Sequence, residues 1–142
     1  MNVSDIMTDR VISINEDEPV IAAARLLKRN NIGALPVHGD KGKLKGIITD
    51  RDIVIRCVAT EADPKDVKVS EIMSRSIVTV SPFDSTEKLT ERMGECQVRR
   101  LPVTDNGILV GIVSLCDLVR NGDFNMEAAE TLNEISSNFR MK

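Results

Sequence analysis

The sequence predicts an α+β fold in which one unit of strands and helices occurs twice. The segment Val3-Ser4-Asp5-Ile6-Met7 returns as Val69-Ser70-Glu71-Ile72-Met73, shifted by 66 residues. Leu35-Pro36-Val37 returns as Leu101-Pro102-Val103 at the same shift. Because two separate segments repeat at one spacing, the two halves of the chain must share a fold.

The first copy is predicted to run strand, helix, strand, strand, helix. Val11–Ile14 is β-branched and precedes a polar turn, which favours a strand. Pro19 suits the first position of a helix, and the apolar residues after it recur at helical spacing up to Asn30-Asn31. The remaining elements are two strands and a second helix: Leu35–His38, Leu44–Thr49, and Asp50 to Ala59 with Ile53, Val54 and Cys57 on its apolar side.

The second copy repeats this order. Its elements are predicted as strands at Ile77–Val80, Leu101–Val103 and Ile108–Ser114, and as helices at Ser85–Cys96 and Leu115–Arg120. The chain then divides into repeat 1 at residues 1–60, a polar linker at 61–68, repeat 2 at 69–121 and a C-terminal extension at 122–142. An apolar stripe in the extension predicts one amphipathic helix over residues 125–138, formed by Met126, Ala129, Leu132, Ile135 and Phe139.

Composition excludes several classes of function. Of the 142 residues, 42% are hydrophobic, and repeats of about 60 residues are each marginal alone, so we expect them to pack together. A net charge of -3 and an aromatic content of 2% disfavour a nucleic-acid surface, which needs basic groups and stacking aromatics. No apolar run approaches the roughly 18 residues of a membrane span, and no basic start precedes an apolar core. We therefore expect a cytoplasmic protein with neither nucleic acid nor membrane as a partner.

The cysteines and the single histidine do not form a catalytic or metal-ligating set. Cys57, Cys96 and Cys116 are an odd number without CxxC spacing, which favours reduced thiols. His38 stands without a cysteine or carboxylate cluster at metal-ligand spacing. A nucleophilic cysteine needs a base, and the sequence contains no triad, P-loop or dinucleotide motif. We expect no enzymatic activity, no metal and no required cofactor.

Each repeat places a hydroxyl three residues before an aspartate, where its last strand meets a helix. The pairs are Thr49 with Asp52 and Ser114 with Asp117. In one interpretation they are capping boxes, in which hydroxyl and carboxylate bond each other's backbone amide. In the other, the free amides and the positive end of the helix dipole also favour ribose or phosphate groups. The two interpretations are compatible, because the cap positions the carboxylate.

These motifs resemble those of a tandem CBS pair, the Bateman module. Gly46-Ile47-Ile48-Thr49-Asp50-Arg51-Asp52 and Gly111-Ile112-Val113-Ser114-Leu115-Cys116-Asp117 match the family's glycine, hydrophobic pair, hydroxyl, two variable residues and aspartate. The resemblance covers residues 3–120, and the chain is similar in plan to small stand-alone bacterial CBS-pair proteins. It implies two βαββα units packed in pseudo-twofold symmetry, with two clefts that commonly bind adenosine nucleotides or adenosyl compounds.

The resemblance also implies roles for particular residues. Asp52 and Asp117 are expected to hydrogen-bond ribose hydroxyls, with Thr49 and Ser114 nearby as partners for ribose or phosphate. The base pockets are expected to be lined by the first strands and by the start of the second strands: Ile12, Val78, Ala34, Pro36, Arg100 and Pro102.

The two implied clefts are not expected to be equal. In similar modules, the residues before the Leu-Pro-Val strand of one repeat reach the phosphates of the nucleotide held by the other repeat's aspartate. These residues are Arg99-Arg100 in repeat 2 and Gly33-Ala34 in repeat 1. Because guanidinium groups match phosphate oxygens, we expect the cleft of Asp52 to be the stronger phosphate site. Arg51 is expected to be the main cation near Asp117.

Two hypotheses for function follow. In the first, the chain is a regulatory module that senses an adenosine nucleotide (AMP, ADP or ATP) or another adenosyl compound, and binding shifts its population of conformations. In the second, the aspartates only cap helices, and a structural dimer acts through its C-terminal helix on an unidentified protein partner. The family resemblance implies a homodimer formed through helical faces.

Overall fold

The computed structural model of the chain describes residues 1–121 together with Thr131 and Ile135. The described chain forms two compact units. The repeat-1 unit comprises Ile12–Ile77, and the repeat-2 unit comprises Met1–Val11 together with the described residues from Val78 onward. Each unit therefore includes a short segment that the sequence repeats assign to the other half.

The repeat-1 unit contains a three-stranded sheet. Its elements are β1 (Ile14–Asn15), α1 (Val20–Asn30), β2 (Ala34–His38), β3 (Leu44–Thr49), α2 (Asp50–Ile53) and α3 (Val69–Ile72). β1 runs parallel to β2, and β2 runs antiparallel to β3, so β2 lies in the middle. α1 begins after Pro19 and ends at Asn31, whose φ of 52° is in the left-handed region typical of helix C-termini.

The repeat-2 unit contains the matching elements in the same order. They are α4 (Thr86–Cys96), β4 (Arg100–Asp105), β5 (Ile108–Ser114) and α5 (Leu115–Arg120). β4 and β5 are antiparallel, and Val80 adds a single parallel bridge to Val103. α4 begins after Ser85, whose hydroxyl accepts the Lys88 N–H at 3.1 Å. The predicted α+β fold with two repeats is confirmed.

Each unit has its own apolar core, and each core includes residues from the start of the other repeat. Val3 and Ile6 are buried among the core residues between Val80 and Leu118. Val69 and Ile72 are buried among those between Ile14 and Cys57. We call Val3–Met7 and Val69–Met73 the lead-in segments. They are exchanged between the repeats, so that each completes the core of the other.

Backbone hydrogen bonds hold the lead-in segments in place. Thr8 and Ile112 each donate an N–H to the other's carbonyl, at 2.8 and 2.9 Å. Ser74 and Ile47 form the same reciprocal pair, also at 2.8 and 2.9 Å. In each unit the chain that follows the lead-in segment is thus bonded as a short extra strand beside the last strand of the sheet.

The glycine of each motif lies where a lead-in segment approaches the sheet. A Cβ at Gly46 would lie 2.5 Å from the Ser74 carbonyl oxygen. A Cβ at Gly111 would lie 2.6 Å from Met7 Sδ and 3.0 Å from the Thr8 carbonyl oxygen. All three distances are shorter than van der Waals contact. A side chain at Gly46 would therefore displace backbone, whereas one at Gly111 would first displace the side chain of Met7.

Two predicted strands are shorter in the structure. The strand predicted at Val11–Ile14 begins only at Ile14, because β1 pairs with β2 only at the last two residues of β2, Val37 and His38. In the strand predicted at Ile77–Val80, only Val80 bridges another strand. The sequence predictions were therefore wrong in the extent of both first strands.

The helix predicted from Asp50 to Ala59 changes geometry part of the way along. α2 ends at Ile53, and Val54–Val58 form a π turn in which the Ala59 N–H donates to the Val54 carbonyl at 2.8 Å. The wider turn keeps Cys57 buried but leaves Val54 57% exposed. Val54, which the sequence places on the same apolar side as Ile53 and Cys57, therefore does not share their burial.

Most of the predicted C-terminal helix lies outside the described residues, and Met126, Ala129, Leu132 and Phe139 are among those outside. Thr131 and Ile135 are helical and buried, and the Thr131 hydroxyl donates to the Thr90 carbonyl of α4 at 3.5 Å. Within the described part of the chain, every helix is too short or too polar to cross a membrane.

Candidate functional site

A compact polar site lies where the end of β3 meets the first turn of α2. We call it the Thr49 corner, and its equivalent at Ser114 and Asp117 the Ser114 corner. Thr49 has extended backbone geometry and precedes the first turn of α2. The Asp52 N–H donates to Thr49 Oγ1 at 3.0 Å, and the Thr49 N–H donates to Asp52 Oδ2 at 3.0 Å. These reciprocal bonds are a capping box, and they hold Asp52 9% exposed. The capping interpretation of the spacing is confirmed here.

The end of β5 repeats this corner in the repeat-2 unit. The Ser114 N–H donates to Asp117 Oδ2 at 2.7 Å, and the Asp117 N–H donates to Ser114 Oγ at 3.3 Å. The Ser114 hydroxyl lies 3.0 Å from the same Oδ2 and donates to it. Asp117 is 8% exposed. In both units the fold therefore uses one carboxylate oxygen, Oδ2, and fixes the orientation of the group.

The other oxygen of each carboxylate lies near an arginine. Arg56 Nη1 is 3.5 Å from Asp52 Oδ1, and Arg120 Nη1 is 3.5 Å from Asp117 Oδ1. Arg56 also donates to the Ile72 carbonyl at 2.8 Å, which ties this pair to a lead-in segment. The Arg120 side chain is 76% exposed and the Arg56 side chain is 49% exposed, and at 3.5 Å neither makes a short charge-assisted hydrogen bond to Oδ1.

In each unit, the residues at the start of the paired strand, β2 or β4, lie beside the corner. The Arg99 carbonyl accepts the first amide of α5 at 2.8 Å, and Arg100 pairs with Ser114 across the β4–β5 ladder. Both arginine side chains are exposed. Ala34 pairs with Thr49 in the same way in the repeat-1 unit. Within a single unit, the structure thus brings the two predicted arginines beside the Ser114 corner and Ala34 beside the Thr49 corner.

The remaining predicted site residues differ in burial. Arg51 is exposed on the first turn of α2. Pro36 and Pro102 are buried within β2 and β4. Ile12 lies just before β1 and is 40% exposed, whereas Val78 is partly buried against the repeat-2 core. Ile12 is therefore available as an apolar contact for a ligand, and Val78 also serves the core.

Arg56 and Arg120 are site residues that the sequence reasoning did not identify. Arg56 follows Asp52 by four residues, and Arg120 follows Asp117 by three. Side chains at these spacings meet on one face of a helix, so an acid followed by a base at i+3 or i+4 is a sequence signal for such a pair.

The side chains of the two corners can bind a diol and a phosphate group. Each presents one oriented carboxylate, a hydroxyl and a helix start beside guanidinium groups, a set that can accept hydrogen bonds from a diol and neutralise phosphate. Among residues 1–121, Thr131 and Ile135, no group of three or more His, Cys, Asp or Glu side chains is placed to hold a metal ion.

Comparison with known proteins identifies the family. The CBS domain model matches residues 3–58 and 69–122. The CBS domain-containing protein YhcV of Bacillus subtilis is 42% identical over 135 residues, which cover 95% of both chains. The chain therefore belongs to the CBS domain family. It is a CBS pair, a regulatory module, as the motifs suggested.

Two solved structures extend the comparison. Hypoxic Response Protein I, solved with two coordinated zinc ions, superimposes with a TM-score of 0.76 at 39% identity, over 84% of this chain and 98% of that one. The CBS domain pair of MJ0100, solved with 5′-methylthioadenosine and S-adenosyl-L-methionine, gives a TM-score of 0.70 at 30% identity, over 85% and 94%.

Proposed function

We propose that this CBS pair is a cytoplasmic sensor of an adenosine nucleotide or another adenosyl compound, and that it acts by binding and not by catalysis. The observation that carries the proposal is the pair of buried aspartates, Asp52 and Asp117, each with one oxygen fixed by a capping box and the other beside an exchangeable arginine. The adenosyl complexes of the MJ0100 pair, a 30% identical neighbour, support the choice of ligand class.

Oδ1 of each aspartate is the proposed acceptor for a ribose hydroxyl. The capping box restricts rotation of the carboxylate, so little conformational freedom is lost when a ligand binds. Asp52 Oδ1 and Arg56 Nη1 are 3.5 Å apart, and Asp52 keeps its capping hydrogen bond through Oδ2 when Arg56 moves away. A ribose hydroxyl can therefore take the place of Arg56, or of Arg120 beside Asp117.

The proposed contacts of the base and the phosphates come from the remaining site residues. The chain contains no Trp or Tyr, so adenine is held between aliphatic side chains. These are Ile12, Ala34, Pro36, Val78 and Pro102. Arg99 and Arg100 supply the main phosphate contacts, and Arg51 supplies a further cation. A planar guanidinium group can donate two parallel hydrogen bonds to one phosphate.

A thermal-shift and calorimetric titration with AMP, ADP, ATP, 5′-methylthioadenosine and S-adenosylmethionine tests the proposal. A ligand at about 100 times its Kd stabilises the fold by about 2.7 kcal/mol. For a chain of this size we expect Tm to rise by roughly 5–10 °C. We expect Asp52→Ala to weaken binding at least tenfold, because a charge-assisted acceptor is lost. We expect a larger effect than that of Asp117→Ala, because the family resemblance assigns Arg99 and Arg100 to the same ligand as Asp52.

Asp50→Ala is the matched control, since Asp50 is an exposed acid on the same turn as Asp52. It should leave the affinity within twofold of the unsubstituted protein. If none of the five compounds raises Tm, or if Asp50→Ala weakens binding as much as Asp52→Ala, the proposed sensor is wrong and the interaction dimer becomes the better hypothesis.

The phosphate contacts make a separate prediction. The double substitution Arg99→Gln with Arg100→Gln should weaken ATP binding at least about a hundredfold, since two charge-assisted contacts worth about 1.5–3 kcal/mol each are lost. Binding of 5′-methylthioadenosine, which lacks phosphate, should weaken much less. Lys43→Gln with Lys65→Gln removes the same charge from exposed positions and serves as the control. Equal weakening of both ligands by Arg99→Gln with Arg100→Gln would contradict the assignment.

We also propose that the protein is a homodimer. Val54, Ile55 and Val58 are large apolar side chains on one turn of the repeat-1 unit, and they are 57%, 46% and 60% exposed. Clusters of exposed apolar side chains are a mark of protein interfaces.

A further inference from the structure

A groove lies between β1 and α1 on the repeat-1 unit. Its volume is about 360 Å³, and it is lined by the strand, by the turn that follows the strand and by one face of the helix. The lining residues that bear on binding are Ser13, Asn15, Glu18, Arg25, Leu26 and Arg29. None of them belongs to either corner or to the proposed base pockets, so the groove is a separate site.

One wall of the groove is the open edge of β1. The Glu16 N–H donates to the His38 carbonyl at 2.9 Å, and Ile14, two residues earlier, also pairs with β2. The backbone groups of successive residues in a strand point to opposite sides, so those of Ser13 and Asn15 point away from β2. In the described sheet β1 is an edge strand, and no other strand lies on that side.

Three backbone groups on this edge have no hydrogen-bond partner among the residues that the structure describes. They are the N–H and the carbonyl of Ser13 and the N–H of Asn15. The neighbouring polar groups are paired, since the Ser13 hydroxyl lies 3.0 Å from His38 Nδ1 and the Asn15 carbonyl accepts the Glu18 N–H at 3.1 Å. Unpaired groups along a strand edge are a template for the addition of another strand.

The repeat-2 unit satisfies the equivalent groups with its own side chains. The residue 66 places after Ser13 is Thr79, and Arg92 Nη1 donates to its carbonyl at 2.7 Å. Two residues further on, the Ser81 N–H donates to Asp84 Oδ2 at 2.9 Å. That edge is therefore closed from within its own unit.

The repeat-1 unit differs at the two positions that close the edge in repeat 2. Leu26 stands at the position of Arg92 and carries no hydrogen-bond donor. Glu18 stands at the position of Asp84, but the structure describes no hydrogen bond to it from the Asn15 N–H. Two units with the same elements thus differ in this respect, and only in repeat 1 does the groove expose the edge.

The opposite wall of the groove carries two exposed arginines. Arg25 and Arg29 lie one turn apart on α1, which contains no acidic residue, and neither forms an ion pair with another described residue. Four residues of helix rise about 6 Å, and alternate residues of a strand lie about 6.6 Å apart. Two acidic side chains at alternate positions of an added strand can therefore each face one arginine. Glu18, the acidic lining residue, precedes the helix and lies away from them.

We propose that the groove binds an extended acidic segment of a partner protein, which adds as a strand to the open edge of β1. The backbone of the segment pairs with the three open groups of Ser13 and Asn15, and two acidic side chains contact Arg25 and Arg29. In strand addition, the main-chain hydrogen bonds supply affinity and the side-chain contacts supply specificity. The adenosyl ligand takes no part in this binding.

Fluorescence polarisation with a labelled peptide, Thr-Val-Glu-Val-Glu-Val-Thr, tests the proposal. Its sequence is the same in both directions, so the probe suits parallel and antiparallel pairing alike. Replacing both of its glutamates by glutamine should weaken binding about tenfold, because two exposed ion pairs are lost. N-methylation of its three central residues should weaken binding at least about tenfold, because the donor to the Ser13 carbonyl is removed.

Substitutions in the protein test the arginines. Arg25→Gln with Arg29→Gln should weaken binding of the acidic probe about tenfold and should bind the acidic and the glutamine probe equally, because the charge contacts are then absent from both. Lys28→Gln with Lys43→Gln is the matched control, since it removes the same charge from exposed positions outside the groove. It should leave the affinity for the acidic probe within about twofold.

Leu26→Arg separates strand addition from attraction by charge alone. It supplies the donor that Arg92 provides in the repeat-2 unit, so it should occupy the Ser13 carbonyl and weaken binding of the acidic probe at least about tenfold. Docking governed only by charge would be strengthened by the added arginine, and circular dichroism would show that the variant is folded.

Three results would overturn the proposed strand addition. They are no binding of the acidic probe at about 1 mM, equal binding of the N-methylated probe, or tighter binding by the folded Leu26→Arg variant. The two peptide comparisons use the unsubstituted protein, so they decide the question whether or not a variant folds. Probe binding should be the same with and without adenosyl compounds, so failure of the proposed sensor leaves this test intact.

Discussion

Ile6→Ala is expected to loosen the repeat-2 unit and to leave the repeat-1 unit protected. Ile6 is buried in the core that contains α4, β4 and β5, although it belongs to the first repeat of the sequence. Truncating a buried isoleucine to alanine costs about 2–5 kcal/mol, from lost apolar burial and the cavity that remains. Hydrogen exchange read by mass spectrometry should show faster exchange in residues 86–120 and little change in residues 20–58.

Ile72→Ala is the matched control and should give the reverse pattern. Ile72 stands at the equivalent position of the second lead-in segment, and it is buried in the repeat-1 core. Its truncation should accelerate exchange in α1, β2 and β3. If each substitution loosened its own sequence repeat instead, the exchange of lead-in segments would be contradicted.

Gly46→Ala should destabilise the protein by about 2–3 kcal/mol, in the upper part of the range for overpacked sites. The added Cβ meets the Ser74 carbonyl oxygen at 2.5 Å, and that oxygen accepts the Ile47 N–H. Backbone must move to relieve the clash, and the reciprocal hydrogen bonds are lost with it. Gly111→Ala should cost less, about 1–2 kcal/mol, because its nearest neighbour is the flexible side chain of Met7.

Urea unfolding of the two variants measures this difference. Gly33→Ala is the control, since a Cβ there would meet its nearest atom, Asp50 Oδ2, at an ordinary 3.4 Å. It should be neutral or slightly stabilising, because alanine restricts the unfolded chain. A Gly46→Ala protein as stable as the Gly33→Ala protein would show that the lead-in segment does not lie against β3 in solution.

Features that depend on local spacing could be predicted from the sequence. The two repeats were recognised from matching segments 66 residues apart. The extent of β5 and α5 and both capping boxes depend on residues a few positions apart. The pairs of Arg56 with Asp52 and of Arg120 with Asp117 also depend on local spacing, and the i+3 and i+4 rule would have found them.

Features that depend on tertiary partners could not be predicted in this way. The lead-in segments Val3–Met7 and Val69–Met73 are so similar that the pattern of either one suits both cores. Only the path of the chain decides which core each segment joins. The length of β1 was missed for a related reason, since its extent depends on where β2 ends. The π turn after Ile53 was also missed, because the helix is too short for a change of period to show in the spacing of its apolar residues.

The two capping boxes of the candidate site were predictable in their residues but not in how their atoms are used. Sequence reasoning proposed that Asp52 and Asp117 both cap and bind. The structure shows that Oδ2 is committed to the cap in both corners, while Oδ1 lies beside a guanidinium group. That division of the two oxygens depends on the carboxylate's orientation, which spacing alone does not determine.

The exchange of lead-in segments makes each repeat depend on the other. A solitary repeat ending near Val58 would carry a lead-in segment that its own sheet does not bury, and a sheet whose glycine no lead-in segment covers. Domain-swapped dimers meet such a need by exchanging segments between two chains. Here both repeats belong to one chain, so the exchange is intramolecular and does not depend on protein concentration.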